Sequence, residues 1–248
     1  MSKTILITGA SRGIGRAAAL LAGRRSWSVG VNYLRDEPGA LAVVKEIERA
    51  GGNAVALQGD VAFEADVLEI FEGAVRALGP LDGVVVNAGV VAPRARLADM
   101  SVERMKRIFD INVLGAYVCA REAARRLSKS RGGAGGSIVL ISSAAARIGG
   151  PGEYVDYAGS KGAIDTLTLG LSKELGPEGV RVNAIRPGLI ETEIHASGGE
   201  PDRAQRLGVT TPLGRPGLPD EIGEAIVWLL SDAASYTTGA ILDITGGR

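Results

Sequence analysis

The chain has 248 residues, 46% of them hydrophobic, which suits one large α/β domain with a substantial core and excludes a disordered chain. Its 28 Lys+Arg balance 28 Asp+Glu, so it lacks the basic footprint of a nucleic-acid binder. A single cysteine, Cys119, and a single histidine, His195, argue against an intrachain disulfide and against any metal site. No apolar run is long enough for a membrane span, and the expectation is a soluble cytoplasmic protein.

Short β-branched runs alternate with longer amphipathic ones along the whole chain. Lys3–Thr8 reads as a strand and Ile14–Ala22 as the helix after it. Trp27–Tyr33 with Gly39–Ala50, and Ala54–Gln58 with Glu64–Leu78, repeat the pair. Gly83–Asn87 is a fourth strand, leading to a long helical pattern over Val102–Leu127. The glycine-rich connector Ser130–Gly136 is expected to be a mobile surface turn. Ser137–Ser142 and Arg181–Arg186 are strands flanking a helix at Tyr154–Leu175; a helix at Asp220–Leu230 and a strand at Ile241–Ile244 complete the series.

Several of these strands are apolar on both faces, as in a parallel sheet covered on each side. The fold class expected is a single-domain Rossmann-type doubly wound sheet of about seven parallel strands, with helices on both faces, over residues 1–248. Gly188–Gly217 stands outside the rhythm, rich in Gly, Pro and Thr. It reads as an active-site lid, with a tolerated surface insertion as the alternative.

The first strand ends in Thr8, Gly9, Ala10, Ser11, Arg12, Gly13, Ile14 and Gly15 and runs straight into a helix. Glycines there let the backbone approach a pyrophosphate, and the helix N-terminus offers free N–H groups to it. The second strand ends Val31, Asn32, Tyr33 with no acid at its last position and Arg35 just beyond. With Arg12 it forms a pair of cations suited to a 2′-phosphate, which favours NADP(H) over NAD(H). Asp36 and Glu37 keep the NAD(H) reading open, unless they are first-turn residues of the next helix. Asp60 and Val61 after the third strand, and Asn87, Ala88 and Gly89 after the fourth, should line the same crevice.

Tyr157 and Lys161 are four apart on one helix face, so the ammonium can lower the phenol pKa and make Tyr157 a general acid or base. Tyr154 has Ala158 at that spacing; Tyr117 meets Arg121 but lacks a neighbouring hydroxyl cluster. Ser142 and Ser143 end the fifth strand, where a hydroxyl can bond a substrate oxygen or simply cap the strand. Asn112 lies mid-helix, where it can bend the backbone, hold a water or face solvent. In the lid, Ile190, Ile194, His195 and Leu207 suggest a mixed apolar and polar pocket, His195 being either a substrate contact or a plain surface residue.

This ordered set, extended by Pro187-Gly188, resembles the short-chain dehydrogenase/reductase family over essentially the whole chain. The resemblance implies Tyr157 as general acid/base, Lys161 also binding the nicotinamide ribose, Ser143 polarising the substrate oxygen, and Asn112 holding a water in a proton relay. It further implies that Pro187, Gly188, Ile190 and Thr192 embrace the nicotinamide amide. The interval of 14 from Ser143 to Tyr157 is often one shorter in related sequences, which puts the choice between Ser142 and Ser143 in question. The subset it looks most like, 3-oxoacyl-carrier-protein reductases and glucose-dehydrogenase-like enzymes, is typically homotetrameric. Ala158, Gly159, Gly162, Ala163 and Gly170 would let the Tyr157 helix pack closely against a neighbour or against the sheet.

Overall fold

The computed structural model describes residues 2–248; Met1 lies outside them. Seven strands, β1 (Thr4–Ile7), β2 (Ser28–Tyr33), β3 (Asn53–Gln58), β4 (Gly83–Val86), β5 (Gly136–Ile141), β6 (Val180–Pro187) and β7 (Ile241–Ile244), form one sheet in the order 3-2-1-4-5-6-7. Every pairing is parallel, as two-sided apolar strands require. Successive side chains of a strand point to opposite faces. Ile5 and Ile7 of β1 therefore enter one core, under helices α1 (Gly13–Arg24), α2 (Glu37–Arg49) and α10 (Pro219–Leu230), while Leu6 enters the other. That second core lies under α3 (Glu64–Leu78), α5 (Ala116–Leu127) and α7 (Val155–Leu175).

The strand order reverses between β1 and β4. In open α/β sheets a crevice forms outside the carboxyl ends of the strands at that switch point. Both the glycine turn after β1 and the Asn87–Gly89 turn after β4 open there.

Three segments depart from the sequence expectation. Val102–Leu127 is not one regular helix: α4 (Val102–Phe109) passes into a π-helical stretch over Asp110–Gly115 before α5 begins. Ser130–Gly136 is not a loose turn. The amides of Gly133 and Gly135 donate to the carbonyls of Ser128 and Leu127, at 2.9 and 2.8 Å, and a Cβ on Gly133 would lie 2.4 Å from the Leu127 oxygen. Gly188–Gly217 is not featureless, since it carries α8 (Ile194–Ser197) and α9 (Arg203–Gly208), each too short to show a periodicity. Its two ends are clipped by a parallel bridge between Ile190 and Gly217. The remaining helix, α6 (Ala145–Ile148), is a single turn following β5.

Candidate active site

A cleft of about 1110 Å3 opens at the switch point. It is walled by the glycine turn, the ends of β2, β3 and β4, the β5–α7 segment and the lid. Every cofactor-site residue expected from the sequence lines it except Gly15, which is buried. A Cβ on Gly15 would stand 2.5 Å from the Gly9 oxygen and 2.6 Å from Asn87 Nδ2, so this glycine serves the close seating of α1 on the turn. Gly13 takes φ of +56°, a backbone that L side chains rarely adopt. Helix α1 starts at that point with no side-chain cap and no acid in its first turn. Its N–H groups and positive dipole end therefore face the cleft uncapped by the helix itself, which fits a phosphate; the Glu193 carboxylate of the lid lies close by, 3.7 Å from where a Cβ on Gly13 would stand.

Two amide side chains expected at the ligand turn inward instead. Asn32 is buried; it accepts from the Gly9 amide at 3.1 Å and donates to the carbonyls of Leu57 and Gly59 at 3.1 and 3.2 Å. Asn87 donates through Nδ2 to the carbonyls of Thr8 and Gly9 at 2.8 and 2.9 Å. Its own amide, and that of Ala88, donate to the Thr8 hydroxyl at 2.9 and 3.0 Å. Thr8, singled out in the sequence only as the head of the turn, is thus its central acceptor. Residue spacing cannot tell which way an amide points, and here four strand ends are bolted together.

At the end of β2, Asp36 caps α2 by accepting from the Gly39 amide at 3.1 Å, and Glu37 is the first residue of that helix. Both acids therefore have a local structural use. Arg12 and Arg35 are exposed on the cleft wall and, among the described residues, make no salt bridge.

The two candidate serines separate cleanly. Both border the cleft, but Ser142 is buried and its hydroxyl is spent on the Lys161 carbonyl, to which it donates at 3.1 Å. Ser143 faces the cleft and accepts from the Ala145 amide at 3.1 Å, and its hydroxyl is near enough to the Tyr157 phenol to favour the phenolate. Lys161 is buried; its amine donates to the Ile141 carbonyl at 2.8 Å and stands 5.7 Å from the Tyr157 ring centroid. Burial pulls the Lys161 amine down to about 8, with Asp165, one turn further along α7, opposing the fall.

The expected depression of the Tyr157 pKa is not what the site shows. Burial pushes it up, and the Ser143 hydroxyl works in the opposite direction. The reason lies in the position of the amine, which is tethered to the end of β5 and makes no hydrogen bond to the phenol oxygen. At neutral pH the site therefore holds a protonated phenol beside a buried cation.

Asn112 sits in the π-helical stretch, so the backbone is bent there. Its side chain is buried and engaged: Oδ1 accepts from the Val90 amide at 2.8 Å, while Nδ2 donates to the Val90 carbonyl at 2.9 Å and to the Ser160 hydroxyl at 3.1 Å. With both N–H groups taken, this side chain ties the loop after β4 to α7 and does not present a free donor to a water. Asn112 is not among the residues that line the cleft.

Groups without any local sequence signal complete the mouth. Arg104 pairs with buried Asp156 through two nitrogens, at 2.8 and 3.2 Å, and Asp156 also accepts from the Tyr157 amide at 2.9 Å. Arg203 of the lid pairs with Glu153 and Glu200, at 2.5 and 2.7 Å, and lies over the Tyr154 ring at 5.1 Å. Arg94 joins the same two acids at 2.8 and 3.3 Å. Apart from Arg203 and Glu200, three residues apart, these charged partners are fifty or more residues apart and leave no spacing to read. Cys119 is buried and its thiol is pushed up to about 12 by burial and then by Glu122, so it is an inert core residue.

A family model described as enoyl-(acyl carrier protein) reductase matches residues 9–248. The uncharacterized oxidoreductase YgfF of Escherichia coli (strain K12) is 49% identical over 243 residues, 98% of each chain. The L-rhamnose 1-dehydrogenase (NAD(P)(+)) of Sphingomonas sp. (strain SKA58) is 40% identical over 99% of this chain and 95% of its own. Among solved structures, a mutant short-chain dehydrogenase/reductase of Serratia marcescens superimposes with a TM-score of 0.90 at 33% identity, covering 99% of this chain and 97% of that one. The chain belongs to the short-chain dehydrogenase/reductase family, and it is an oxidoreductase of that family.

Proposed function

We propose that this short-chain dehydrogenase/reductase interconverts a carbonyl and a secondary alcohol with NADP(H), Tyr157 acting as general acid and base. One observation carries the reading. Tyr157 and Ser143 present two neighbouring hydroxyls to one cleft, with the Lys161 cation behind them and an uncapped helix N-terminus at its other end. Seated there, the dinucleotide supplies or takes up the hydride.

The protein's share is to hold and move a proton. A substrate oxygen between Ser143 and Tyr157 accepts from both, which stabilises charge developing on it. Tyr157, protonated at neutral pH because burial disfavours its phenolate, donates as the oxygen becomes an alkoxide and recovers the proton in the reverse direction. The Lys161 ammonium favours the phenolate formed at that moment and, on this reading, also binds the nicotinamide ribose. Pro187, Gly188, Ile190 and Thr192 line the wall where the nicotinamide amide would rest. Asn112 is assigned a positioning role, through Val90 and Ser160.

NADP(H) is favoured over NAD(H) because Arg12 and Arg35 stand exposed on the cleft wall while Asp36 is turned into a helix cap. Chemistry dependent on this dinucleotide goes with a cytoplasmic location. A homotetramer is supported by the surface between α5 and α7: Leu114, Tyr117 and Leu169 are exposed, and a Cβ on Gly159, Gly162 or Gly170 would meet nothing within 4 Å.

The decisive experiment is Tyr157→Phe. NADPH binding, followed by fluorescence, should be unaltered while carbonyl reduction falls by about a hundredfold or more. Turnover retained in that variant refutes the reading.

A further inference from the structure

His195, the single histidine, stands on α8 in the lid, with its ring partly buried on the wall of the cleft. Its Nε2 lies 3.0 Å from the carbonyl oxygen of Ile190. A carbonyl only accepts, so Nε2 carries the hydrogen of this contact. Burial, and to a lesser degree the Arg203 charge, hold the ring below its ordinary proton affinity, against the Ile190 carbonyl and Glu200, which favour the charged form. The imidazole is therefore neutral at pH 7, with Nδ1 left as a bare acceptor. Among the described residues Nδ1 has no hydrogen-bond partner, and it is not among the nitrogens sealed from solvent, so its lone pair is open to a ligand.

The lid also holds this acceptor in place. Ile190, whose carbonyl orients the ring, is fixed by its bridge to Gly217, and the Glu191 and Gly217 amides donate to the Gly217 and Leu189 carbonyls at 2.9 Å each. On the other flank the Glu200 amide donates to the His195 carbonyl at 2.9 Å. Gly198 lies so close to the loop after β4 that a Cβ there would stand 3.2 Å from Val91 Cγ1. Three cleft-side carboxylates are taken, Glu153 and Glu200 by Arg203 and Arg94 and Asp156 by Arg104, and that of Glu193 lies by Gly13 at the start of α1. The neutral imidazole is left unmatched.

We propose that Nδ1 of His195 accepts a hydrogen bond from a substrate hydroxyl near the reacting carbon, so that the enzyme takes polyhydroxylated, sugar-like cyclic alcohols in preference to bare ones. The proposal rests on the reading of Tyr157 as the reacting group. A fixed acceptor of this kind rejects a compound that cannot donate to it, because the lone pair then loses water without replacement.

The test compares oxidation of a set of aldopyranoses (D-glucose, L-rhamnose, D-xylose) with that of cyclohexanol, in wild type, His195→Gln and His195→Asn. A glutamine amide reaches the place of Nε2 and can still donate to Ile190 but puts nothing at Nδ1; an asparagine oxygen takes the place of Nδ1. The expected result is a wild-type kcat/KM for at least one pyranose about tenfold or more above that for cyclohexanol. His195→Gln should reduce the pyranose value by about tenfold, leave cyclohexanol within about twofold, and be partly rescued in His195→Asn. Equal losses on both substrate types, no loss on either, or a wild type that prefers cyclohexanol or oxidises no pyranose overturns the proposal. NADPH binding and the Tyr157→Phe variant are measured alongside. Failure of those two controls strikes the underlying reading, and failure of the pyranose comparison alone strikes only His195.

Discussion

Replacing Lys161 by methionine tests the electrostatics of the site through folding stability. The amine titrates at 10.5 when free and at about 8 in the fold, where it is 4% exposed. At 1.36 kcal/mol per pH unit, that fall corresponds to about 3 kcal/mol. Below pH 8 both folded and unfolded chains carry the proton, so the full penalty of the buried charge is present. Between pH 8 and 10.5 the unfolded chain binds the extra proton, stability rises with pH, and above 10.5 the penalty is gone. Lys161→Met removes the penalty but strips the Ile141 carbonyl of its donor at 2.8 Å, a loss of about 1–3 kcal/mol. The two nearly offset at pH 7, where the variant should match or exceed wild type by up to about 2 kcal/mol. By pH 10.5 it should have lost about 3 kcal/mol relative to wild type. Paired urea unfolding curves at pH 7, 8, 9 and 10.5 measure this, since other titrating groups cancel between the two proteins. A stability difference that stays flat across that range means the amine is not held at a depressed pKa, and the account of a buried cation beneath Tyr157 fails.

Arg12→Ala combined with Arg35→Ala should raise the KM for NADPH by about tenfold or more and leave that for NADH nearly unchanged, because a 2′-phosphate loses two charge-assisted donors; steady-state kinetics with both cofactors decide, and an unaltered NADPH value removes the NADP(H) assignment. Sedimentation of the 25.5 kDa chain should give a tetramer, and Leu169→Glu, an exposed position on α7, should dissociate it; a wild-type monomer at micromolar concentration ends that reading.

The sheet was legible because each strand is a short run apolar on both faces, and the glycine turn because Gly9, Gly13 and Gly15 fall where β1 meets α1. The π-helical stretch at Asp110–Gly115 was not, since an apolar pattern over Val102–Leu127 looks alike whether one turn is widened or not. Telling Ser142 from Ser143 needed coordinates, since spacing alone does not say that the Ser142 hydroxyl is spent on the Lys161 carbonyl. The Arg104–Asp156 and Arg203–Glu153 pairs are made by the fold rather than by any local pattern. For the Tyr157–Lys161 pair the sequence placed both groups correctly on one helix. It overstated their direct coupling, because it could not foresee that the Ile141 carbonyl would claim the amine.

The inward amides of Asn32 and Asn87 have a further consequence. Because they clamp Gly9 from two sides, the turn that receives a phosphate is already rigid when a ligand arrives. The loss of backbone freedom needed to form that concave surface is borne once, while the chain folds, and is not repeated at every encounter. Dinucleotide exchange can then proceed as docking against a finished wall, leaving motion to the far side of the cleft.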